Sequence, residues 1–165
     1  METIGKRDAE RIGAMYRVRP LTFEELDEAS RIIWKSYYRA EKDLTSLEGM
    51  TVFRDLVEPL SLKMNALDGS VLFFGAFREG IMAGVGALKE KRRVLLLYVL
   101  PEEQGRGAGS AILRALLSRA DGALPVTVNA APGAVGFYRR FGFVPTEGQQ
   151  EKDGIRFVPM VWEKG

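Results

Sequence analysis

Three glycines at alternate positions, Gly105, Gly107 and Gly109, are the residues whose type and spacing most directly suggest chemistry. Glycine adopts positive φ without strain and lets a ligand approach the backbone closely. From Ser110 onward the apolar residues fall on one helical face, so the glycines predict a turn at a helix N-terminus. The free N–H groups and the positive dipole end of such a turn favour an anion, above all a phosphate.

The spacing of this turn separates three kinds of phosphate-binding loop. A P-loop requires Gly-Lys followed by Ser or Thr, which this turn lacks, and the dinucleotide fingerprint Gly-x-Gly-x-x-Gly is replaced by Gly-x-Gly-x-Gly. The stretch Gln104-x-x-Gly107-x-Gly109 does match Arg/Gln-x-x-Gly-x-Gly/Ala, the signature with which GCN5-related N-acetyltransferases bind the pyrophosphate of coenzyme A. Taken alone, these residues could also form a glycine-rich turn that binds nothing.

A second stretch, between residues 129 and 143, strengthens the resemblance. The family has an Asn followed by the pattern "A…FY…GF", and the matching residues here are Asn129, Ala134, Phe137, Tyr138, Phe141, Gly142 and Phe143. The two motifs occur in the family's order, about 20 residues apart. The chain is therefore identified as similar to the GCN5-related N-acetyltransferase (GNAT) family over residues 71–161, with a weaker likeness before them.

The strands that would position these motifs are predicted where apolar residues alternate or run together between turn residues. They cover residues 16–21, 71–77, 81–88, 94–100, 125–130 and 154–162. The run at 94–100 has no polar alternation, which is typical of a strand covered on both faces. Residues 78–80, Arg-Glu-Gly, predict a tight hairpin between the second and third strands.

Helices are predicted from caps and from helical spacing of apolar residues. Thr22 and Glu25 form a capping box that begins the first helix, residues 40–50 are read as a loop, and a second helix kinks or ends at Pro59. The resemblance implies a GNAT-like acyl-CoA N-acyltransferase fold: an α/β fold with a mixed sheet, in the order β-α-α-β-β-β-α-β-α-β, with strands four and five splayed. Residues 16–165 would form this single domain, after a charged lead at 1–15 that is a frayed helix or disordered.

Composition excludes several kinds of chemistry. The net charge of +2 gives no bulk attraction to nucleic acid or to a membrane. Cysteine and histidine are absent, which excludes a thiol nucleophile, a Ser-His-Asp triad and a zinc site built from thiolates or imidazoles. Proton transfer would then use carboxylates, Tyr, Lys or water. No run of about 20 apolar residues is present, so a cytoplasmic protein is expected. No metal is expected either.

The resemblance also implies roles for individual residues, with acetyl-CoA as the acyl donor. The pantetheine arm would pair with the backbone of Leu97, Tyr98 and Val99, and the N–H of Val99 or Leu100 would stabilise the oxyanion. The turn that would hold the pyrophosphate comprises Gln104, Gly105, Arg106, Gly107, Ala108, Gly109 and Ser110. Tyr138 would protonate the leaving thiolate, and Asn129 would bind the arm or orient the acceptor. Simple packing for the tyrosine and an Asx turn for the asparagine are the structural alternatives.

The general base is the least specified residue. Many relatives place a Glu in or next to strand four, but the corresponding run here contains no carboxylate. Glu48 is the preferred substitute and Glu41 the second choice, although each could be an ordinary solvated carboxylate. A water chain, or Tyr98 with Tyr37 or Tyr38, would serve equally.

The predicted function is N-acetyl transfer from acetyl-CoA to an amine by direct attack in a ternary complex. The alternatives are a non-catalytic acyl-CoA-binding regulatory module and a phosphate-binding fold unrelated to coenzyme A. The acceptor would be an amine on a small molecule, a protein or a peptide, and residues 16–70 do not distinguish these. Relatives often form homodimers, which leaves a homodimer open for this chain.

Overall fold

The computed structural model describes residues 15–163, which form a mixed sheet with helices on both faces. The strands are β1 (Arg17–Pro20), β2 (Val71–Arg78), β3 (Ile81–Lys89), β4 (Arg93–Val99), β5 (Val126–Ala130), β6 (Val144–Pro145), β7 (Gln150–Lys152) and β8 (Ile155–Trp162). The helices are α1 (Leu26–Glu41), α2 (Leu47–Val57), α3 (Pro59–Leu67), α4 (Ala108–Ser118) and α5 (Val135–Arg140), with 3₁₀ turns at Pro101–Glu103 and Pro132–Ala134. The sheet order is β1-β2-β3-β4-β5-β8-β6, and β7 pairs with β8 outside this path. The predicted lead, residues 1–15, lies outside the described residues except for Met15.

Strands β4 and β5 run parallel and separate after a short paired segment. They pair only between Arg93 and Thr127 and between Val94 and Val128, although β4 continues to Val99. The other strand pairs in the described chain are antiparallel. The splay predicted for strands four and five is therefore confirmed, together with the mixed α/β fold class.

A bulge in β4 accounts for the point at which the strands separate. Val94 pairs with Leu88 of β3 and Leu96 pairs with the preceding residue, Ala87, so Leu95 is an extra residue in β4. A bulge bends its strand and increases the local twist. The bulge at Leu95 lies immediately after the last residue of β4 that pairs with β5, so the two strands separate at this point.

Each face of the sheet carries its own hydrophobic core. Helices α1–α3 cover one face, where the largest fully buried side chains include Leu26, Ile32, Ile33, Val57 and Leu62. Helix α4 covers the other face with Ile112, Leu113 and Leu116. Gly86 in β3 permits this packing, because a β-carbon there would overlap the Ile112 side chain. Apolar residues at successive positions in β2 and β3 thus reflect burial on both faces.

The N-terminal half contains one more helix than the predicted order. Glu58 is extended (ψ 155°) and Pro59 begins α3 instead of only ending the preceding helix. Proline suits the first position of a helix, where its missing N–H would have had no partner. Ser46 caps α2 by accepting a hydrogen bond from the Gly49 N–H at 3.1 Å, so the predicted loop at 40–50 is shorter and covers residues 42–46.

Two short strands, β6 and β7, are also added to the predicted order, between the last helix and the last strand. None of the helices within residues 15–163 has the length and apolar character needed to cross a membrane.

Candidate active site

A cleft of about 590 Å³ opens where β4 and β5 separate. It is lined by the end of β4, the turn into α4, residues 131–140, the end of α1, and the β7–β8 hairpin. The residues predicted from sequence that line it are Leu97, Tyr98, Val99, Gln104, Gly105, Gly107, Ala108, Gly109, Ser110 and Tyr138. Arg106, Asn129 and Glu48 are exposed and are not part of this lining.

The turn before α4 presents main-chain donors to the cleft. Gly105 and Gly107 have φ of +79° and +91°, and a β-carbon at either position would meet no atom of the described chain within 4 Å. The first bond of the helix runs from the Ala111 N–H to the Gly107 carbonyl at 3.0 Å. The N–H groups of residues 108–110 therefore lack partners within the helix, as at any helix N-terminus. This geometry fits a pyrophosphate, which needs both the open space and the donors.

The open edge of β4 presents backbone groups to the same cleft. The Leu100 N–H donates to the Ala83 carbonyl at 2.9 Å, so it is not available as an oxyanion donor. Since N–H groups alternate in direction along a strand, those of Val99 and Leu97 point away from β3 and towards the cleft. Of the two oxyanion donors predicted from sequence, Val99 is the one that remains.

Gln104 joins the turn to the end of β4. Its side-chain Nε2 donates to the Val99 carbonyl at 3.0 Å, on the side where β4 has no neighbouring strand. The amide thereby satisfies a strand-end acceptor that would otherwise face the cleft. Gln104 lines the cleft as predicted, and its amide group holds the relative position of the turn and the strand.

Tyr138 lies on α5 and is 5% exposed, packed edge-on between Phe137 and Phe143 with ring centroids 5.2 and 5.3 Å away. Burial raises the pKa of its phenol above the usual value, so the group stays protonated at neutral and mildly alkaline pH. Every fully enclosed side-chain oxygen within residues 15–163 has a hydrogen-bond partner. The Tyr138 hydroxyl has no hydrogen-bond partner among these residues, so it is not fully enclosed. The hydroxyl therefore retains access to the cleft, where it can donate a proton.

Tyr98, which also lines the cleft, belongs to an aromatic cluster. Tyr98 packs edge-on against Tyr37 and Phe53, which stack on each other with centroids 3.6 Å apart. Burial raises the pKa of Tyr98, and the nearby Tyr138, Tyr37 and Glu41 raise it further. Both phenols of the cleft thus stay protonated at neutral pH, and Tyr98 lies within electrostatic range of one carboxylate.

That carboxylate belongs to Glu41, the last residue of α1. Burial raises the pKa of Glu41, although the Thr45 hydroxyl, 3.5 Å from Oε2, and Arg156 lower it in part. The sequence contains an indication that Glu41 lies on the buried side of α1, because Glu41 follows the buried residues Ile33 and Tyr37 at intervals of one helical turn. Glu48, in contrast, is exposed in the first turn of α2.

The β7–β8 hairpin closes the side of the cleft beyond Glu41. A β-carbon on Gly154 at the hairpin tip would overlap Gly49, and one on Gly49 would overlap the Gly154 carbonyl. The two backbones therefore touch, which explains the glycine beside Glu48 as a requirement of packing. This contact brings Gln149 and Arg156, which sequence reasoning missed, to the cleft lining.

Glu103, immediately before the glycine turn, is held by residues distant in sequence. Arg78 donates from Nε and Nη2 to its two oxygens at 2.7 and 2.6 Å, and the Tyr16 hydroxyl donates to Oε1 at 2.9 Å. Arg78 holds the pKa of Glu103 well below its ordinary value, at about 2. The carboxylate thus fixes the turn to β2 and to the residue before β1.

This ion pair predicts a pH-dependent contribution to stability. At neutral pH, Glu103→Gln should lower the free energy of unfolding by about 1–3 kcal/mol, as expected for hydrogen bonds to a charged group. Because folding depresses this pKa, the contribution is complete above the ordinary pKa of about 4.3 and is lost as pH falls towards 2. Urea unfolding of both proteins at pH 7 and pH 3 measures it. An equal difference at both values, or an equal loss in the control Glu102→Gln, would contradict the assignment.

Comparison with known families adds to this geometry. The family model described as "Acetyltransferase (GNAT) domain" matches residues 41–164. Among curated protein sequences, no match is found. The matched range includes β4, the glycine turn and Tyr138, so the similarity extends over the main walls of the cleft.

Solved structures with similar folds include three bacterial and archaeal proteins. One from Rhodopseudomonas palustris, described as "GCN5-Related N-acetyltransferase: Aminotransferase, Class-II", is 24% identical with a TM-score of 0.79, over 91% of this chain and 96% of that one. The PaiA N-acetyltransferase from Thermoplasma acidophilum, in complex with coenzyme A, is 21% identical with a TM-score of 0.68, over 88% and 97%. YjaB from Escherichia coli, in its apo form, is 26% identical with a TM-score of 0.69, over 88% and 96%. The fold is thus shared over nearly the whole of each chain.

Proposed function

From its membership of the GNAT acetyltransferase family, to which this chain belongs, we propose that it transfers the acetyl group of acetyl-CoA to an amine by direct attack in a ternary complex. The observation that carries the proposal is the arrangement of main-chain donors along one cleft. Three N–H groups lie at the start of α4, and those of Leu97 and Val99 line the open edge of β4. Such an arrangement suits a long ligand with an anionic group at one end and amide groups along its length.

These donors suggest how acetyl-CoA is oriented. The start of α4 would bind the pyrophosphate, while the edge of β4 would pair with the amides of the pantetheine arm. The Val99 N–H would then stabilise negative charge on the thioester oxygen, a contribution of about 3–4 kcal/mol for one such donor. That the Thermoplasma acidophilum protein was solved with coenzyme A supports this choice of ligand.

Two side chains supply the proton transfers. An amine with the pKa of lysine is neutral in only about one molecule in a thousand at pH 7, so the acceptor needs a base. Glu41 would remove the amine proton as the C–N bond forms. When the C–S bond breaks, Tyr138 would give its phenolic proton to the thiolate and regain one from water. The raised pKa of each group suits its role, because a buried carboxylate is a stronger base and a buried phenol keeps its proton.

Binding and turnover of the purified protein test the proposal. Calorimetric titration should show micromolar affinity for acetyl-CoA but not for ATP, and free thiol should be released from acetyl-CoA only when an acceptor amine is present. Binding without transfer to any amine in a broad panel would instead support the non-catalytic regulatory module. Absence of binding would refute both readings.

The assignment of the base makes a separate prediction. Glu41→Gln should lower kcat/KM by about 100-fold near neutral pH, the lower range for general base catalysis. Activity of the native enzyme should rise as pH passes through the raised pKa of Glu41, because only the carboxylate accepts a proton, and this rise should be absent in the variant. Glu48→Gln is the matched control, since its carboxylate is exposed and outside the cleft. If the loss appeared in Glu48→Gln instead, Glu41 would not be the base.

A further inference from the structure

The charged side chains of the cleft differ in how well they are neutralised. Four charged residues line it: Glu41, Glu103, Arg140 and Arg156. Glu103 is paired with Arg78 through two hydrogen bonds, so its charge is offset. Within residues 15–163 this leaves one cleft-lining carboxylate outside an ion pair, that of Glu41, and the guanidinium of Arg156 lines the same cleft.

Glu41 and Arg156 influence each other without forming an ion pair. Arg156 lowers the pKa of Glu41, which shows that the two charges lie within electrostatic range. Among the described residues, however, the ion pair of Arg156 is with Glu151, its cross-strand neighbour in β7. The two charged groups thus line the same cleft without being in direct contact.

Most N–H donors of the Arg156 guanidinium remain available to a ligand. Its contact with Glu151 is a single one from Nε at 3.5 Å, and the two side chains are 50% and 60% exposed. Exposed pairs of this kind contribute little, and a guanidinium presents five N–H donors in a fork that matches a carboxylate. A carboxylate on a ligand can bind the remaining donors without displacing a strong interaction.

We infer that the acceptor is a small amine that also bears a carboxylate, an amino acid in chemical class, with its amine at Glu41 and its carboxylate at Arg156. The inference rests on the proposed acetyl transfer and specifies its substrate. A polyamine is disfavoured, because the described residues that line the cleft include two arginines but only one carboxylate outside an ion pair. An extended peptide is disfavoured because the backbones of Gly49 and Gly154 touch, which leaves no gap between α2 and the hairpin at that point.

A panel of matched acceptors tests this inference. Each natural amino acid is compared with its α-carboxamide, and spermidine is included, with thiol release from acetyl-CoA as the readout. At least one amino acid should have a kcat/KM about tenfold or more above its amide, the size expected for hydrogen bonds to a charged group. The amide has the less basic amine, so a larger fraction of it is neutral at pH 7, and this difference alone would favour the amide.

Substitutions in the β7–β8 hairpin test whether Arg156 produces the preference for the amino acid over its amide. Arg156→Gln should remove the preference, because it should raise KM for the amino acid and change KM for the amide little, and Arg156→Lys should restore part of the preference. Glu151→Gln, which removes only the exposed partner, should retain the preference. An equal loss with amino acid and amide in Arg156→Gln would mean a structural role and would overturn the inference.

The two proposals fail in different ways. If amides or spermidine were acetylated as well as the free amino acids, acetyl transfer would stand and the carboxylate-bearing acceptor would be wrong. If acetyl-CoA bound but no amine accepted the acetyl group, the proposed function itself would be wrong, and with it the inference.

Discussion

Replacing Gly107 with valine is expected to abolish measurable binding of acetyl-CoA. The backbone at this position has φ of +91°, which a β-branched residue adopts only with strain. The valine side chain would also occupy the open space in front of the α4 N-terminus, where the pyrophosphate is proposed to lie. Loss of the charge-assisted hydrogen bonds there should weaken affinity by about 100-fold or more, taking about 3 kcal/mol for such bonds together. Calorimetric titration with acetyl-CoA measures this directly.

Gly80 provides a matched control for the strain. It has φ of +80°, lies in the β2–β3 hairpin, and a β-carbon there would likewise meet no atom of residues 15–163 within 4 Å. Gly80→Val should therefore cost a similar amount of stability while leaving acetyl-CoA affinity unchanged. If affinity survived in Gly107→Val, or fell equally in both variants, the glycine turn would not be the phosphate site.

The parts of the site that could be predicted from sequence are those encoded locally. Alternate glycines before an amphipathic stretch specify the turn at α4, since the turn needs positive φ and the helix needs one apolar face. The uninterrupted apolar run ending at Leu100 likewise specifies a strand covered on both faces. The splay of β4 from β5 is encoded by no local pattern, and its prediction depends on the resemblance to a known family.

The choice of oxyanion donor could not be made from sequence. Whether the N–H of Val99 or that of Leu100 faces the cleft depends on the bulge at Leu95, which reverses the alternation relative to β3. A bulge is a property of two paired strands, so neither strand reveals it alone. The same limit applies to Glu103, whose partner Arg78 is 25 residues away in the chain.

The candidate general base shows a different limit of prediction from sequence. Glu41 and Glu48 both flank the predicted acceptor groove, and the choice depended on where α1 ends. If residues 40–50 form a loop, Glu41 lies outside the buried stripe of that helix, and the sequence gives no reason to prefer it to Glu48. The structure extends α1 to Glu41 and assigns Gly49 to contact with Gly154, a residue more than half the chain away.

Replacing Tyr138 with phenylalanine is expected to lower kcat by about tenfold or more while leaving the affinity for acetyl-CoA nearly unchanged. The substitution keeps the ring that packs between Phe137 and Phe143 and removes only the hydroxyl that faces the cleft. Without that proton the sulfur must leave as a thiolate, which raises the barrier of the transfer step and not the free energy of the bound state. Rapid thiol detection under saturating acetyl-CoA gives kcat, and calorimetry gives the affinity.

Phenylalanine substitutions at two further tyrosines test whether the effect is specific to Tyr138. Tyr38 is 49% exposed and outside the cleft lining, so Tyr38→Phe should retain full activity. Tyr98 lines the cleft with a raised pKa and is the other phenol that could supply the proton. A large loss in Tyr98→Phe with none in Tyr138→Phe would transfer the acid role to Tyr98. Since burial raises the pKa of Tyr138, the native enzyme should also show no loss of acid catalysis as pH rises towards 10, the ordinary value for a tyrosine.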